Sequence, residues 1–201
     1  MPLITLEKVG PDIRLGLWAI ESSIAELLAQ EAALLPIFNG MQNIHSSSRK
    51  LEKLAVYALL FSMVDDKSLR ILHDTSSRPA LKGYNISISH TRGYVALMLS
   101  ESHRVGVDIE YISDRVARVS SRFMRTDEQG DTIASKLINW CAKEAIYKLF
   151  SEEHLQYFDM RLHPFEEAAS GLVTVEDLKC CKTQTVHYRV TNQYVLTYAY
   201  R

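Results

Sequence analysis

Two short runs hold the residues best suited to chemistry. Val105-Gly106-Val107-Asp108-Ile109-Glu110 reads as a strand, which sets the carboxylates of Asp108 and Glu110 at i and i+2, on one face. Trp140-Cys141-Ala142-Lys143-Glu144-Ala145-Ile146-Tyr147-Lys148 reads as a helix, with Glu144 and Lys148 at i and i+4 on one face. If the two faces meet, three carboxylates and a lysine converge. Such a set suits a hard divalent cation carrying a phosphate ester, because Mg²⁺ prefers oxygen ligands and binds through few carboxylates plus substrate phosphates. The plainer alternative puts Asp108 and Glu110 in solvent, with Val107 and Ile109 in the core. Glu144 and Lys148 alone would be an ordinary helix pair worth ~0.2–0.5 kcal/mol.

The rest of the chain must position those runs. At 201 residues it has room for one large domain or two small ones and for a sizeable core. Apolar residues at 47% and charged residues at 23% are ordinary for a globular protein. A net charge of -1 provides no general attraction for nucleic acid, so an anionic ligand needs a local basic cluster. The first residues lack the basic start and apolar stretch of a signal peptide, and no run approaches a membrane span. Cys141, Cys180 and Cys181 form no CxxC pair, which argues against a disulfide framework or structural zinc. A reduced cytoplasmic protein is the expectation.

Residues 13–20 read as a strand, and 24–35 as a helix capped by Ser22-Ser23 and ended by Pro36. A second helix begins at Ser46-Ser47-Ser48 and runs to about Val64. A short strand at 70–72 and a polar loop at 74–79 follow. Strands are predicted at 85–89 and 94–100, helices at 114–123 and 131–150, and an antiparallel set at 160–164, 171–177, 183–191 and 193–200. An internal echo links the two halves: Ile20 and Ile109 are 89 residues apart, as are Leu60 and Leu149. The fold class expected is α+β, with two similar pseudo-symmetric halves at 1–101 and 102–201. Each is a small antiparallel-rich sheet packed with helices. At that offset Asp108 falls opposite Ala19 and Glu144 opposite Ala55, so only the second half carries the carboxylate set. One cleft between the halves, rather than two equivalent sites, is the expectation.

Gly106-Val107-Asp108-Ile109-Glu110, with Trp140-Cys141-Ala142-Lys143-Glu144-Ala145 and Lys148, resembles the signature of 4′-phosphopantetheinyl transferases. Asn85-Ile86-Ser87-Ile88-Ser89-His90 resembles the Ser-His segment that precedes the family's metal strand. Arg78-Pro79 resembles a basic-Pro pair that contacts coenzyme A, and Arg49 an arginine at the start of a helix in the N-terminal half. The length resembles the two-halved, surfactin-synthetase-activating type, which folds around one site as a monomer.

The resemblance implies a Mg²⁺-dependent transfer of the phosphopantetheine arm of coenzyme A to a serine of an apo acyl or peptidyl carrier protein. It implies Asp108, Glu110 and Glu144 as metal ligands, and Glu144 or a water on the metal as the base for the carrier serine. Lys148 would offset charge on the departing adenosine 3′,5′-bisphosphate. Ser89 and His90 would hold phosphate oxygens, and Arg49 and Arg78 the nucleotide end, with Lys143 a second candidate. Residues 34–48 contain no Lys or Arg where larger members place basic residues for the 3′-phosphate, leaving His45, Arg92, Lys82 or Lys50 to substitute. Arg115, Arg118, Arg122 and Arg125 recur at helical spacing and are candidate contacts for an acidic carrier, or else a solvated face. Trp140 and Cys141 are read as helix packing. A non-catalytic carrier-binding homologue is the alternative from another class, and a Mg²⁺-dependent phosphoester hydrolase a third.

Overall fold

The computed structural model describes residues 2–75 and 78–201. The part of the polar loop at 76–77 lies outside the described residues. The chain divides into two compact units, Met1–His103 and Arg104–Arg201.

The first unit contains the strands β1 (Leu3–Lys8) and β2 (Arg14–Ala19), then helices α1 (Ile24–Gln30), α2 (Leu35–Asn39) and α3 (Ser47–Met63). Strands β3 (Leu72–His73) and β4 (Pro79–Ala80) form a two-stranded ribbon. Strands β5 (Asn85–Thr91) and β6 (Tyr94–Ser100) form a hairpin that turns through Gly93 at φ 83°. The main sheet runs β1-β2-β6-β5, antiparallel throughout. Helix α3 lies on it and buries Leu54, Leu59 and Leu60 against Val95, Leu97 and Leu99. Ser46 caps this helix by accepting from the Arg49 N–H, as its position before an apolar-periodic run predicts. Ser23 caps α1 in a reciprocal box with Glu26. Pro36 does not end the first helical stretch. It sits in the first turn of α2, where its missing N–H costs nothing, while α1 already stops at Gln30.

The second unit opens with β7 (Val105–Tyr111) and continues with α4 (Arg115–Val119) and α5 (Ile133–Leu149). Strands β8 (Met160–Leu162), β9 (Ser170–Asp177), β10 (Lys182–Val190) and β11 (Tyr194–Tyr200) follow. The sheet order is β7-β11-β10-β9-β8, again antiparallel. Helix α5 covers one face and packs Leu137, Ile138, Cys141 and Ala142 with Val173, Val175, Val186 and Val195. Cys141 is a buried core residue, whereas Cys180 and Cys181 are exposed in the β9–β10 turn.

Both units place a strand, a long helix and a returning hairpin strand in one order, with β2 paired to β6 and β7 to β11. In each, a glycine lets the helix approach that strand. A Cβ on Gly16 would come within 2.7 Å of Leu59, and one on Gly106 within 2.1 Å of the Ala145 carbonyl oxygen and 3.1 Å of Leu149. Gly16 to Gly106 and Leu59 to Leu149 are both steps of 90 residues, so packing aligns the units one residue away from the sequence echo. Asp108 then falls opposite Trp18 and Glu144 opposite Leu54. No helix among the described residues is long and apolar enough to cross a membrane.

Asp12 ties the β1–β2 turn to the end of β6. Its Oδ2 accepts from Ser100 Oγ at 2.7 Å and from the backbone N–H groups of Glu101 and Ser102 at 2.9 and 2.8 Å, and His103 Nδ1 stands 2.7 Å from Oδ1. The Ser100 hydroxyl first, then the Ser102 amide and His103, hold its carboxyl well below the usual carboxylate range. A carboxyl depressed on folding contributes stability that is present above its unfolded pKa and fades as pH falls below about 4. Asp12→Asn is therefore expected to lower the thermal midpoint at pH 7. The gap from the parent should begin to narrow as the pH is taken toward 3, where the unfolded chain takes up a proton that the folded carboxyl still resists. Midpoints measured at both pH values check this, and a gap unchanged by pH counts against it.

Candidate active site

Strand β7 carries Asp108 and Glu110 on the same face as Gly106. Because Gly106 lets α5 lie close on that face, the helix brings Glu144 and Lys148 over the strand. Asp108 is 5% exposed, which rules out the solvent-facing alternative for this carboxylate. Lys148 Nζ donates to Asp108 Oδ1 at 2.6 Å and to the Val107 carbonyl at 2.9 Å. The Lys148 side chain remains 25% exposed, so its ammonium sits at the rim.

Glu144 accepts a short hydrogen bond from the Tyr157 hydroxyl. Burial raises its pKa first; the Tyr157 hydrogen bond opposes this, the Asp108 charge adds to it, and Lys148 opposes it more weakly. Glu144 and Asp108 therefore feel each other's charge. Burial, followed by the charges of Asp108 and Glu110, pushes the Cys141 thiol well up, which makes it inert as a nucleophile. Among the described residues no three of His, Cys, Asp and Glu converge as ready-made metal ligands. Lys148 meets Asp108, and Tyr157 meets Glu144.

Beside Glu110 opens a pocket of about 360 Å³, walled by Val116, Val119, Leu137, Trp140 and Tyr157, with Arg115 and Arg122 also in its lining. Trp140 packs as expected, 4.8 Å from Phe123 in an edge-to-face pair, but it also lines this pocket.

Lys143 corrects a sequence expectation. It is fully buried, and its Nζ donates to Glu128 Oε2 and the Phe123 carbonyl, both at 2.8 Å. Its position next to Glu144 in sequence puts it 100° around the helix, into the core, where no phosphate can reach it. Burial lowers its pKa, against the opposing pull of Glu128. The arginine row also departs from one long helix. Only Arg115 and Arg118 lie on α4, Arg122 follows in a 3-10 turn, and Arg125 is paired with Asp127 at 2.9 Å.

The remaining candidates belong to the first unit. Arg49 is exposed in the first turn of α3, one turn before Glu52, and His90 Nδ1 stands 3.9 Å from Glu52 Oε2. Ser89 precedes His90 on β5 and is 8% exposed. Arg78 lies just before β4, where its backbone N–H donates to Asp74 Oδ1 at 3.0 Å. Sequence reasoning missed Tyr157 and Glu128. Both reach their partners from loops outside the motif, and nothing local in the sequence marks them.

No curated protein matches the chain. The family model described as the 4′-phosphopantetheinyl transferase superfamily matches residues 104–199, the span that holds β7, α5 and the whole acidic set. The second unit, Arg104–Arg201, therefore belongs to the 4′-phosphopantetheinyl transferase superfamily, a family of transferases of the phosphopantetheine arm.

Proposed function

We propose that the protein transfers the 4′-phosphopantetheine arm of coenzyme A to a serine of an apo acyl or peptidyl carrier protein and releases adenosine 3′,5′-bisphosphate. The observation that carries this reading is the ion pair of buried Asp108 with Lys148 at the rim, beside Glu144, within the segment that matches the family.

The donor chemistry suits Mg²⁺, although the three carboxylates do not converge in the structure. Asp108, Glu110 and Glu144 offer hard oxygens, and the mutual repulsion of Asp108 and Glu144 is what a cation would relieve. These three residues would hold the ion, which when bound supplies charge stabilisation to the pyrophosphate. Glu144, whose burial and like-charged neighbour raise its proton affinity, is the proposed base for the carrier serine. Lys148 Nζ, at the rim, stands to offset charge on the leaving phosphate. Arg49 and Arg78, with Ser89 and His90, are proposed contacts of the coenzyme A nucleotide and phosphates.

Arg115, Arg118 and Arg122, all exposed, are proposed to meet an acidic carrier. Reversing the charge of Arg118 and Arg122 together is expected to raise the Michaelis constant for the carrier about tenfold or more, because each rim charge acts mainly on encounter. The constant for coenzyme A should not move, and steady-state kinetics with each substrate varied in turn check the split.

One observation favours a second reading. The absence of Lys and Arg from residues 34–48 would suit a homologue that binds carriers without turnover. Incubation with Mg²⁺, coenzyme A and a panel of apo carriers, followed by intact mass, separates the two. A gain of one phosphopantetheine supports transfer. Carrier binding with no mass gain on any carrier supports the second reading.

A further inference from the structure

Tyr157 is outside the motif, yet it makes the only side-chain hydrogen bond seen to Glu144 among the described residues. It opens the 3-10 turn Tyr157–Asp159, between α5 and β8. That turn is fastened from two sides. Asp159 Oδ2 accepts from the Gln156 N–H at 2.7 Å and pairs with Lys179 at 2.7 Å, and the Leu178 N–H donates to the Asp159 carbonyl at 2.8 Å. The ring is held as well. It lies 5.3 Å from Trp140 and 6.4 Å from Phe123, and Trp140 sits one helical turn before Glu144. The hydroxyl is thus delivered to Glu144 Oε1 by a platform that does not depend on any ligand.

We propose that Tyr157 is a positioning residue: its hydroxyl ties back Oε1 of Glu144 and commits Oε2 to the cation and the carrier hydroxyl. The physical reason is entropic and directional. A glutamate has three rotatable side-chain bonds, and a carboxylate held by one fixed donor presents its second oxygen in one direction. Partners of this kind around metal-ligating carboxylates set both orientation and affinity. The inference rests on the proposed Mg²⁺-dependent reading, and its test is read in metal binding rather than in turnover alone.

The test uses Mn²⁺ as probe, titrated into the full-length protein by electron paramagnetic resonance with neither coenzyme A nor carrier present. Tyr157→Phe keeps the ring against Trp140 and Phe123 and removes only the hydroxyl. It is expected to weaken Mn²⁺ binding by about tenfold or more. The thermal midpoint without metal should stay close to the parent's. Turnover should fall with little change in either Michaelis constant. In a Glu144→Gln background the same change should have no further effect on Mn²⁺. Equal Mn²⁺ affinity in parent and Tyr157→Phe overturns the positioning role and leaves the transferase reading standing. A parent protein that binds no Mn²⁺ overturns the carboxylate metal site itself, and the inference with it. If Tyr157→Phe does not fold, a fluorine placed on the Tyr157 ring keeps the hydroxyl in place. Its resonance should shift when Mg²⁺ is added, and an unmoved resonance overturns the proposal.

Discussion

Asp108→Ala is expected to reduce carrier modification at least about 10²–10³-fold, the loss seen when one preorganised electrostatic group is removed from a polar site. The effect should be large because Asp108 does two things. Its carboxylate is a proposed metal ligand, and its Oδ1 accepts from Lys148 Nζ at 2.6 Å. Removing it would unseat the lysine as well as weaken the cation site. Glu144→Ala is expected to fall as far, since it removes a ligand and the proposed base together. Asp108→Asn separates the two roles of Asp108, because the amide keeps an oxygen for Lys148 but carries no charge; it should be nearly as inactive as Asp108→Ala yet closer to the parent in stability. The stability cost of Asp108→Ala should stay below the roughly 3–5 kcal/mol of a fully buried pair, because the Lys148 side chain is 25% exposed and can turn to water. Intact mass of the carrier after timed incubation, alongside thermal midpoints of each variant, measures both quantities. Modification by Asp108→Ala within tenfold of the parent would remove Asp108 from the site.

Much of this was legible in sequence, and what was not has physical reasons. The long helices were, because Ser46 and Thr132 cap runs whose apolar residues recur at helical spacing. The strand of Asp108 and Glu110 was legible too, although its alternation does not mean half-exposure here. Gly106 lets a helix cover the carboxylate face, and that requires a contact 39 residues away in sequence, with Ala145. Strand β1 went unread because it is an edge strand whose residues alternate only between partial and full exposure. The arginine row read as one helix because spacing alone does not reveal that Arg125 is drawn off by Asp127. Tyr157 and Glu128 illustrate the general limit. Each meets its partner 13 or 15 residues away through a loop, and no periodicity encodes where a loop returns.

The fate of Lys143 shows how the site is supported from below. Glu128→Ala is expected to be the most destabilising single change in the second unit. The two side chains are fully buried and 2.8 Å apart, so the variant leaves an ammonium in a dry core with only the Phe123 carbonyl. Removing one partner of such a pair costs roughly 3–5 kcal/mol. Glu128 also accepts from the Arg125 N–H and the Leu162 N–H, each at 2.7 Å, so the same change strands two backbone donors. Against a total of about 5–15 kcal/mol for a domain, that is enough to leave the unit largely unfolded at physiological temperature. Lys143→Met should cost clearly less. It removes the buried cation at similar volume, while the Glu128 carboxylate keeps its two backbone donors. An ordering of Glu128→Ala well below Lys143→Met in urea midpoint, followed through the fluorescence of Trp140, is the expected result. Equal midpoints would mean that Glu128 matters only as the partner of Lys143. The stated ordering would make Glu128 the clamp that joins the 123–128 loop and β8 to α5, and so holds in place the Phe123 ring against which Trp140 and Tyr157 pack.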